Sequence, residues 1–275
     1  MTESNLSYLN FWIIAFNSTA AFVLAYLFIF YINQLSFLVT GGMYNYPVSI
    51  DYATYYFHIE PYKWTHDSVM LIFSAGYITT LFIGLLALLG FFYLLSDSTP
   101  IKVFFFWLIL HASTYFFGGL MLGNLLTEGI GHVFNWMYLT DTVKMIISLI
   151  GFFGLLLTSL ASSRLAALSA NAYFVRINER NTPFFITAQV LLPYIIGSVL
   201  LIAYFLPKNQ FHERYNWIIM GIMMLIFYSR SKYLQSLMFE EDSNRQIRPM
   251  KGFIVFSIII YLFTRVFLYK PILFG

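Results

Sequence analysis

Residues that could do chemistry are few in this chain of 275 residues, and several follow one apolar stretch. His111, Asn124, Glu128 and His132 lie along or just after the run that begins near residue 103. Such an apolar run is typical of a membrane-spanning helix. Burying an ionisable group within the membrane costs free energy, so these residues indicate a function. On a continuing helix, Glu128 and His132 would share a face because they are four positions apart. His111 would lie about 25 Å from Glu128 along an unbroken helix, so a joint metal site would require the helix to break.

Two interpretations of this cluster stay open. The first is a His-Glu-His metal site. In the second, His111 hydrogen-bonds to another helix of a bundle, and Glu128 lies at a helix end that is exposed to water. Gly119 and Gly123 then let a neighbouring helix approach closely.

The adjacent amides Asn33 and Gln34 lie in another apolar stretch. Amides among apolar residues are typical of interhelical hydrogen bonds. Together with the first cluster they make up a candidate polar site within the membrane, which comprises His111, Asn124, Glu128, His132, Asn33 and Gln34.

The remaining candidates are weaker. His58, Glu60, His66 and Asp67 fit no regular metal-binding spacing, and Asp67 is placed to cap a helix. The chain has no cysteine, which excludes disulfides, thiolate nucleophiles and cysteine-ligated metals. Since one histidine of five lies plainly within an apolar run, a haem with two histidine ligands is not indicated. We expect no catalytic residue, no bound metal and no cofactor.

The composition indicates that most of the chain is surrounded by lipid rather than water. Hydrophobic residues make up 60% of the chain and charged residues 10%, whereas soluble domains are about a quarter charged. The net charge of +3 is small and scattered, so a nucleic-acid partner is not expected. The expected partners are the lipid bilayer and other transmembrane proteins.

Uncharged runs of the length needed to cross a bilayer predict an all-α bundle of about seven spans, with six or eight as alternatives. The whole chain, 1–275, reads as one integral membrane domain, and the first run is too long for a signal peptide. More Lys and Arg lie on the side of the amino terminus, which favours a cytoplasmic amino terminus, and the composition is compatible with a bacterial inner (plasma) membrane. The predicted spans lie near 9–39, 69–95, 103–126, 145–163, 184–206, 214–230 and 252–269.

Three connecting segments carry their own predictions. Residues 40–68 are rich in Tyr and are broken by Gly, Asn and Pro, which predicts a β-hairpin or a flap at the membrane surface. Residues 164–183 predict a short amphipathic helix, and 240–251 a hydrophilic loop.

Three short segments follow one another between residues 20 and 135. They are Asn33-Gln34-Leu35-Ser36-Phe37, Ser74-Ala75-Gly76-Tyr77-Ile78 and Asn124-Leu125-Leu126-Thr127-Glu128-Gly129. Their order resembles the site-2 protease family of intramembrane zinc metalloproteases. That family has a His-Glu-x-x-His helix, a flap with β-structure, a helix that opens with an Ala-Gly-Pro-like motif, and an Asn…Asp-Gly segment.

The departures from the family decide what the resemblance implies. In the family, two histidines bind zinc and a glutamate is the general base; here these positions read Asn33, Gln34 and Phe37. Glu128 would replace the aspartate ligand, and one carboxylate cannot hold a catalytic zinc. The resemblance therefore implies a degenerate, non-proteolytic relative, with an unrelated bundle as the alternative.

Two classes of function follow from these patterns. One is a non-enzymatic scaffold or subunit of a membrane complex that binds other transmembrane helices. The other is a metal-dependent membrane enzyme or a transporter that uses a polar site around Glu128 and His132.

Overall fold

The chain folds into a bundle of helices, and each of the seven predicted stretches coincides with a helix. The computed structural model describes residues 6–97, 99–208, 211–231, 236–239 and 247–275, without the side chains of 211–214. The helices are α1 (Tyr8–Met43), α2 (His66–Tyr93), α3 (Ile101–Leu126), α4 (Gly131–Trp136), α5 (Asp141–Ser169), α6 (Thr182–Ile186), α7 (Leu192–Phe205), α8 (Phe211–Ser231) and α9 (Lys251–Phe267). A π-helical turn, Thr187–Leu191, joins α6 to α7 without a break.

Five helical segments are long and apolar enough to cross a membrane, and they confirm a helical membrane bundle. They are α1, α2, α3, the stretch Asp141–Ala172 that includes α5, and the stretch Thr182–Phe205 that includes α6 and α7. Because lipid offers no partners for backbone groups, a helix is the form in which such runs satisfy their own hydrogen bonds.

Helix α1 forms the centre of the bundle. In its most apolar window 83% of the residues are buried inside the protein, against 22% for α2. It packs against α2, α3, α7 and α9, and α3 in turn packs against α5 and α8. Part of its surface carries exposed apolar side chains, but its amides Asn17, Asn33 and Gln34 are buried. These amides therefore lie inside the protein rather than in lipid.

The start of α2 is set by a hydrogen-bonded cap rather than by a charged residue. Thr65 caps α2: its hydroxyl accepts from the backbone N–H of Ser68 at 3.2 Å, and the Ser68 hydroxyl accepts from Thr65 N–H at 3.0 Å. This reciprocal pair is a capping box. The expectation that Asp67 caps this helix is therefore wrong; Asp67 lies in the first turn instead.

The predicted connectors are shorter than expected. Since α1 extends to Met43 and α2 begins at His66, the predicted loop 40–68 is reduced to 44–65. The predicted amphipathic helix at 164–183 does not form as one unit, because α5 continues to Ser169 and a short strand and α6 follow. In the predicted loop 240–251, residues 240–246 lie outside the described part of the chain.

A small sheet closes one end of the bundle. Strand β1 (Val48–Ile50) pairs antiparallel with β2 (Tyr55–Phe57), and also with β5 (Ile272–Phe274) near the end of the chain. The order is β2-β1-β5, so β2 lies at an edge. Asp51 in the turn between β1 and β2 forms an ion pair with Lys208, the third residue after α7. We call this end of the bundle the hairpin end.

The opposite end has its own connections. The buried ammonium of Lys102 donates to the carbonyl of Leu95 at 3.0 Å and to Oδ1 of Asn171 at 2.6 Å. Strands β3 (Arg176–Ile177) and β4 (Leu237–Met238) also pair with each other.

Candidate functional site

A polar cavity of about 130 Å³ lies between α1, α2, α3, α8 and the turn between β1 and β2. Its volume is enough for several water molecules or one small side chain. It is partly open rather than sealed. Its polar lining comes from segments far apart in the sequence. The residues are Asn33, Gln34, Thr54, Tyr55, Tyr77, Tyr115, Glu128, Tyr215 and Asn216.

Two adjacent amides of α1 form one wall. Asn33 and Gln34 are 8% and 4% exposed, so both are effectively inside the protein. Within the described residues, Oδ1 of Asn33 and Oε1 of Gln34 accept no hydrogen bond, although interhelical hydrogen bonds were expected from the sequence. Both amides line the cavity, so water or a polar group that enters it can donate to these oxygens.

Gly76 of α2 explains how Asn33 fits. A Cβ built at position 76 would overlap Oδ1 of Asn33. Glycine therefore lets α2 approach the amide of α1 more closely than any other residue would.

A tight turn after α3 places Glu128. Helix α3 ends at Leu126, where Thr127 adopts a left-handed conformation with φ of 55°. The chain then folds back, because the N–H of Glu128 donates to the carbonyl of Gly123 at 3.1 Å and the N–H of Gly131 donates to the carbonyl of Glu128 at 2.9 Å. The helix thus does not continue to His132, and the shared helical face expected for Glu128 and His132 is not formed.

Glycines make this turn possible. Gly129 has a φ of 54°, which favours glycine. A Cβ at Gly131 would overlap the carbonyl oxygen of Gly123, so these two backbones touch. Gly123 therefore packs against its own following turn, whereas Gly119 lies under the ring of Tyr77 from α2.

Aromatic side chains complete the lining. The ring of Phe37 stacks on Tyr55 of the edge strand β2, with centroids 4.1 Å apart. Phe30 and Tyr115 contribute further walls. Burial raises the pKa of Tyr55, and the nearby Tyr77 and Glu128 raise it further. Tyr55 therefore stays a neutral phenol that can donate or accept a hydrogen bond.

The other candidate residues lie elsewhere. The amide of Asn124 donates to the carbonyl of Lys144 and to the hydroxyl of Ser148, both at 3.0 Å, and so joins α3 to α5. His132 lies against the ring of Phe73, with centroids 4.8 Å apart.

His111 is also separate from the cavity. It is 3% exposed and is surrounded by the rings of Phe22, Tyr26 and Trp107. Of the six candidates, then, the structure brings together Asn33, Gln34 and Glu128.

Six polar lining residues were missed from the sequence, namely Thr54, Tyr55, Tyr77, Tyr115, Tyr215 and Asn216. Tyr77 lies within a segment singled out for its small residues, and Tyr55 within the aromatic loop. Tyrosine and asparagine are common at helix ends and interfaces, so their types alone gave no signal.

The lining includes hydrogen-bonding groups and aromatic rings. Across the described residues, no three His, Asp or Glu side chains come close enough to hold a metal ion. The cavity offers amide groups, a carboxylate and phenols, which can hydrogen-bond to a polar group that enters it.

The fold and its apolar helices define the class of protein, a helical integral membrane protein. Comparisons with protein-family models, with curated proteins and with solved structures each gave no match.

Proposed function

We propose that this chain is a non-enzymatic integral membrane protein, a scaffold or complex subunit, that binds a transmembrane segment of a partner protein, one polar side chain of which enters the cavity beside Asn33 and Gln34. The observation that carries the proposal is the pair of buried amide oxygens without a partner among the described residues. A partner side chain that supplies hydrogen-bond donors could pair with these oxygens in place of water.

The proposal includes a relationship to the site-2 protease family. Asn33, Gln34 and Phe37, at the positions of the zinc motif, line the same cavity as Glu128 and Gly129, at the positions of the Asp-Gly pair. This arrangement supports the resemblance. Because asparagine, glutamine and phenylalanine replace both histidines and the general base, the proposed relative is non-proteolytic.

We also propose seven membrane spans, with α8 and α9 as the sixth and seventh. Alternation of the connectors supports this count. Lys208, which follows α7, meets Asp51 at the hairpin end, and Tyr52 there donates to the carbonyl of Leu268, which follows α9. At the opposite end, the amide of Asn17 near the start of α1 binds the backbone at Arg248 and Met250, just before α9.

The positive-inside tendency then places the amino-terminal end of the bundle in the cytoplasm. The proposed location is a bacterial inner membrane, in which the hairpin end and the cavity face the outer side.

Co-purification tests the proposal. The full chain, solubilised in mild detergent from its native membrane, should retain a stoichiometric membrane partner. Gln34→Met, which keeps the shape of the side chain but removes its amide, should lose that partner. The matched control is Ser74→Ala, since the Ser74 hydroxyl bonds to Met70 within its own helix; this variant should keep the partner. A wild-type protein that purifies without any partner would contradict the proposal.

A further inference from the structure

An apolar groove of about 330 Å³ opens to the outside of the bundle between α1, α7 and α9. Its α1 wall includes Thr19, Ala20 and Val23, which stay buried, and Phe16, which is 56% exposed. The polar groups along it are already bonded: the hydroxyl of Thr19 donates to Ala15, and that of Ser257 donates to Ala20. The groove therefore offers a purely apolar surface.

The groove is closed toward the hairpin end. There the hydroxyl of Tyr261 donates to the carbonyl of Leu200 at 2.8 Å, and the guanidinium of Arg265 donates to the carbonyl of Leu206 at 2.6 Å. Both bonds tie α9 to the end of α7. A chain lying in the groove would therefore extend toward the opposite end of the bundle.

A positive charge marks the open end. Lys251, the first residue of α9, is exposed and lies three and seven positions before Ile254 and Ile258. Residues at these spacings share a helix face, so Lys251 lies on the face of α9 that lines the groove. From Ile254 to Leu262 the groove runs about 12 Å along α9, which is within one leaflet of a hydrocarbon core about 30 Å thick.

We propose that this groove binds one acyl chain of an anionic phospholipid, whose phosphate lies beside Lys251. The groove suits an acyl chain because it is apolar and lies within one leaflet. Lys251 suits the anionic headgroup because it lies at the membrane surface, at the open end of the groove. Anionic headgroups are attracted to basic residues at this position. The inference rests on the proposed placement of α9 in the membrane, and it does not depend on what the polar cavity binds.

Native mass spectrometry of the full chain in detergent tests this assignment. With equal amounts of dioleoyl phosphatidylglycerol and dioleoyl phosphatidylcholine, the protein should retain one phosphatidylglycerol in preference. Lys251→Met should lower that preference about fivefold, whereas Lys270→Met, at the hairpin end, should leave it unchanged. Equal retention of both lipids by the wild-type protein would overturn the proposal.

Filling the groove gives a second arm. Ile258→Trp should abolish lipid retention, and the control Ile259→Trp should not, because Ile259 is equally exposed but does not line the groove. If instead the wild-type protein is a dimer that Ile258→Trp dissociates, a second copy of the chain fills the groove and the proposal fails. If Ile258→Trp does not fold, the lipid preference of the wild-type protein and of Lys251→Met still tests the proposal. Gln34→Met should leave lipid retention intact, which separates this test from that of the cavity.

Discussion

Gly76 of α2 lies directly against the side-chain oxygen of Asn33 on α1, in the wall of the polar cavity. The two residues are 43 positions apart in the sequence, and their contact decides how closely the two helices approach. It also gives the first test of the site.

Gly76→Ala should destabilise the protein by about 1 kcal/mol, because the added Cβ overlaps the Asn33 oxygen. Helix propensity works in the other direction, since alanine is favoured over glycine by roughly 1 kcal/mol. In an Asn33→Ala background the overlap is gone, so Gly76→Ala should become neutral or stabilising. Unfolding of the four proteins in detergent forms a double-mutant cycle that measures this coupling.

Gly42→Ala is the matched control for that cycle. It is also a helical glycine, but nothing lies within 4 Å of an added Cβ. It should be neutral or slightly stabilising in both backgrounds. A Gly76→Ala protein that behaves like Gly42→Ala would show that the contact with Asn33 is not tight.

Gln34→Met should keep or raise the stability of the isolated protein, by up to about 1 kcal/mol. The change replaces a buried amide, whose oxygen has no partner in the described chain, with an apolar side chain of similar shape. Thermal unfolding in detergent measures the effect. A loss of more than about 1 kcal/mol would mean that the amide supports the fold rather than a ligand.

Asn171→Leu is the comparison for Gln34→Met, because the side-chain oxygen and nitrogen of Asn171 are both hydrogen-bonded. It accepts from Lys102 at 2.6 Å and donates to the carbonyl of Leu95 at 2.9 Å. Its removal deprives a buried ammonium of an acceptor, so the variant should lose about 1–3 kcal/mol. Similar stabilities for Asn171→Leu and Gln34→Met would argue against a special role for Gln34.

Backbone strain in the turn that holds Glu128 can be relieved or increased. Thr127 has a φ of 55°, which a β-branched residue adopts at a cost, whereas asparagine tolerates it. Thr127→Asn should therefore stabilise the protein by about 0.5–1 kcal/mol. Gly129→Ala should destabilise it by about 1–2 kcal/mol, because its φ is 54° and a Cβ would also meet the Tyr77 hydroxyl. Opposite signs in thermal unfolding are expected, and equal signs would contradict this geometry.

The ion pair at the hairpin end should make stability depend on alkaline pH. Partial burial works to lower the pKa of Lys208, but the hydrogen bond to Asp51 and the attraction to its charge outweigh it and raise the pKa above its ordinary 10.5. The stabilisation is thus fully present below about pH 10.5 and is lost as the pH rises through the raised pKa of the folded state. The free energy of unfolding should therefore fall above this pH.

Lys208→Met shows how much of the stability lost at alkaline pH is due to the ion pair with Asp51. The variant should be less stable than wild type by about 1 kcal/mol at neutral pH, and the difference should shrink as the pH rises above 10.5. Urea unfolding of both proteins from pH 8 to 11.5 measures it. A constant difference over this range would contradict the assignment.

Much of the fold could be predicted from the sequence because charges mark where apolar helices end. The stretch predicted near 103–126, for example, coincides with α3 to within two residues at each end. Three members of the cavity were also found, since Asn33, Gln34 and Glu128 are polar groups in an apolar setting.

The rest depended on backbone geometry and on distant contacts. No proline announces the end of α3, and the left-handed Thr127 that ends it is an unusual residue for this role. Strand β5 pairs with β1 across more than 200 residues, a register that no local pattern encodes. His111 and Asn124 were grouped with Glu128 because they are near it in sequence, but their side chains turn to other helices.

Site-specific photo-crosslinking tests the central claim most directly, namely that a partner segment inserts a polar side chain into the cavity. A photoreactive phenylalanine analogue would replace Leu122, which lines the cavity, or Leu125 on the same helix, which is 68% exposed on the outside of the bundle. After irradiation of native membranes, position 122 should give one discrete adduct that maps to an apolar segment of another membrane protein. Position 125 should give none, and Gln34→Met should abolish the adduct from position 122. Absence of an adduct at position 122, or identical adducts at both positions, would contradict the claim.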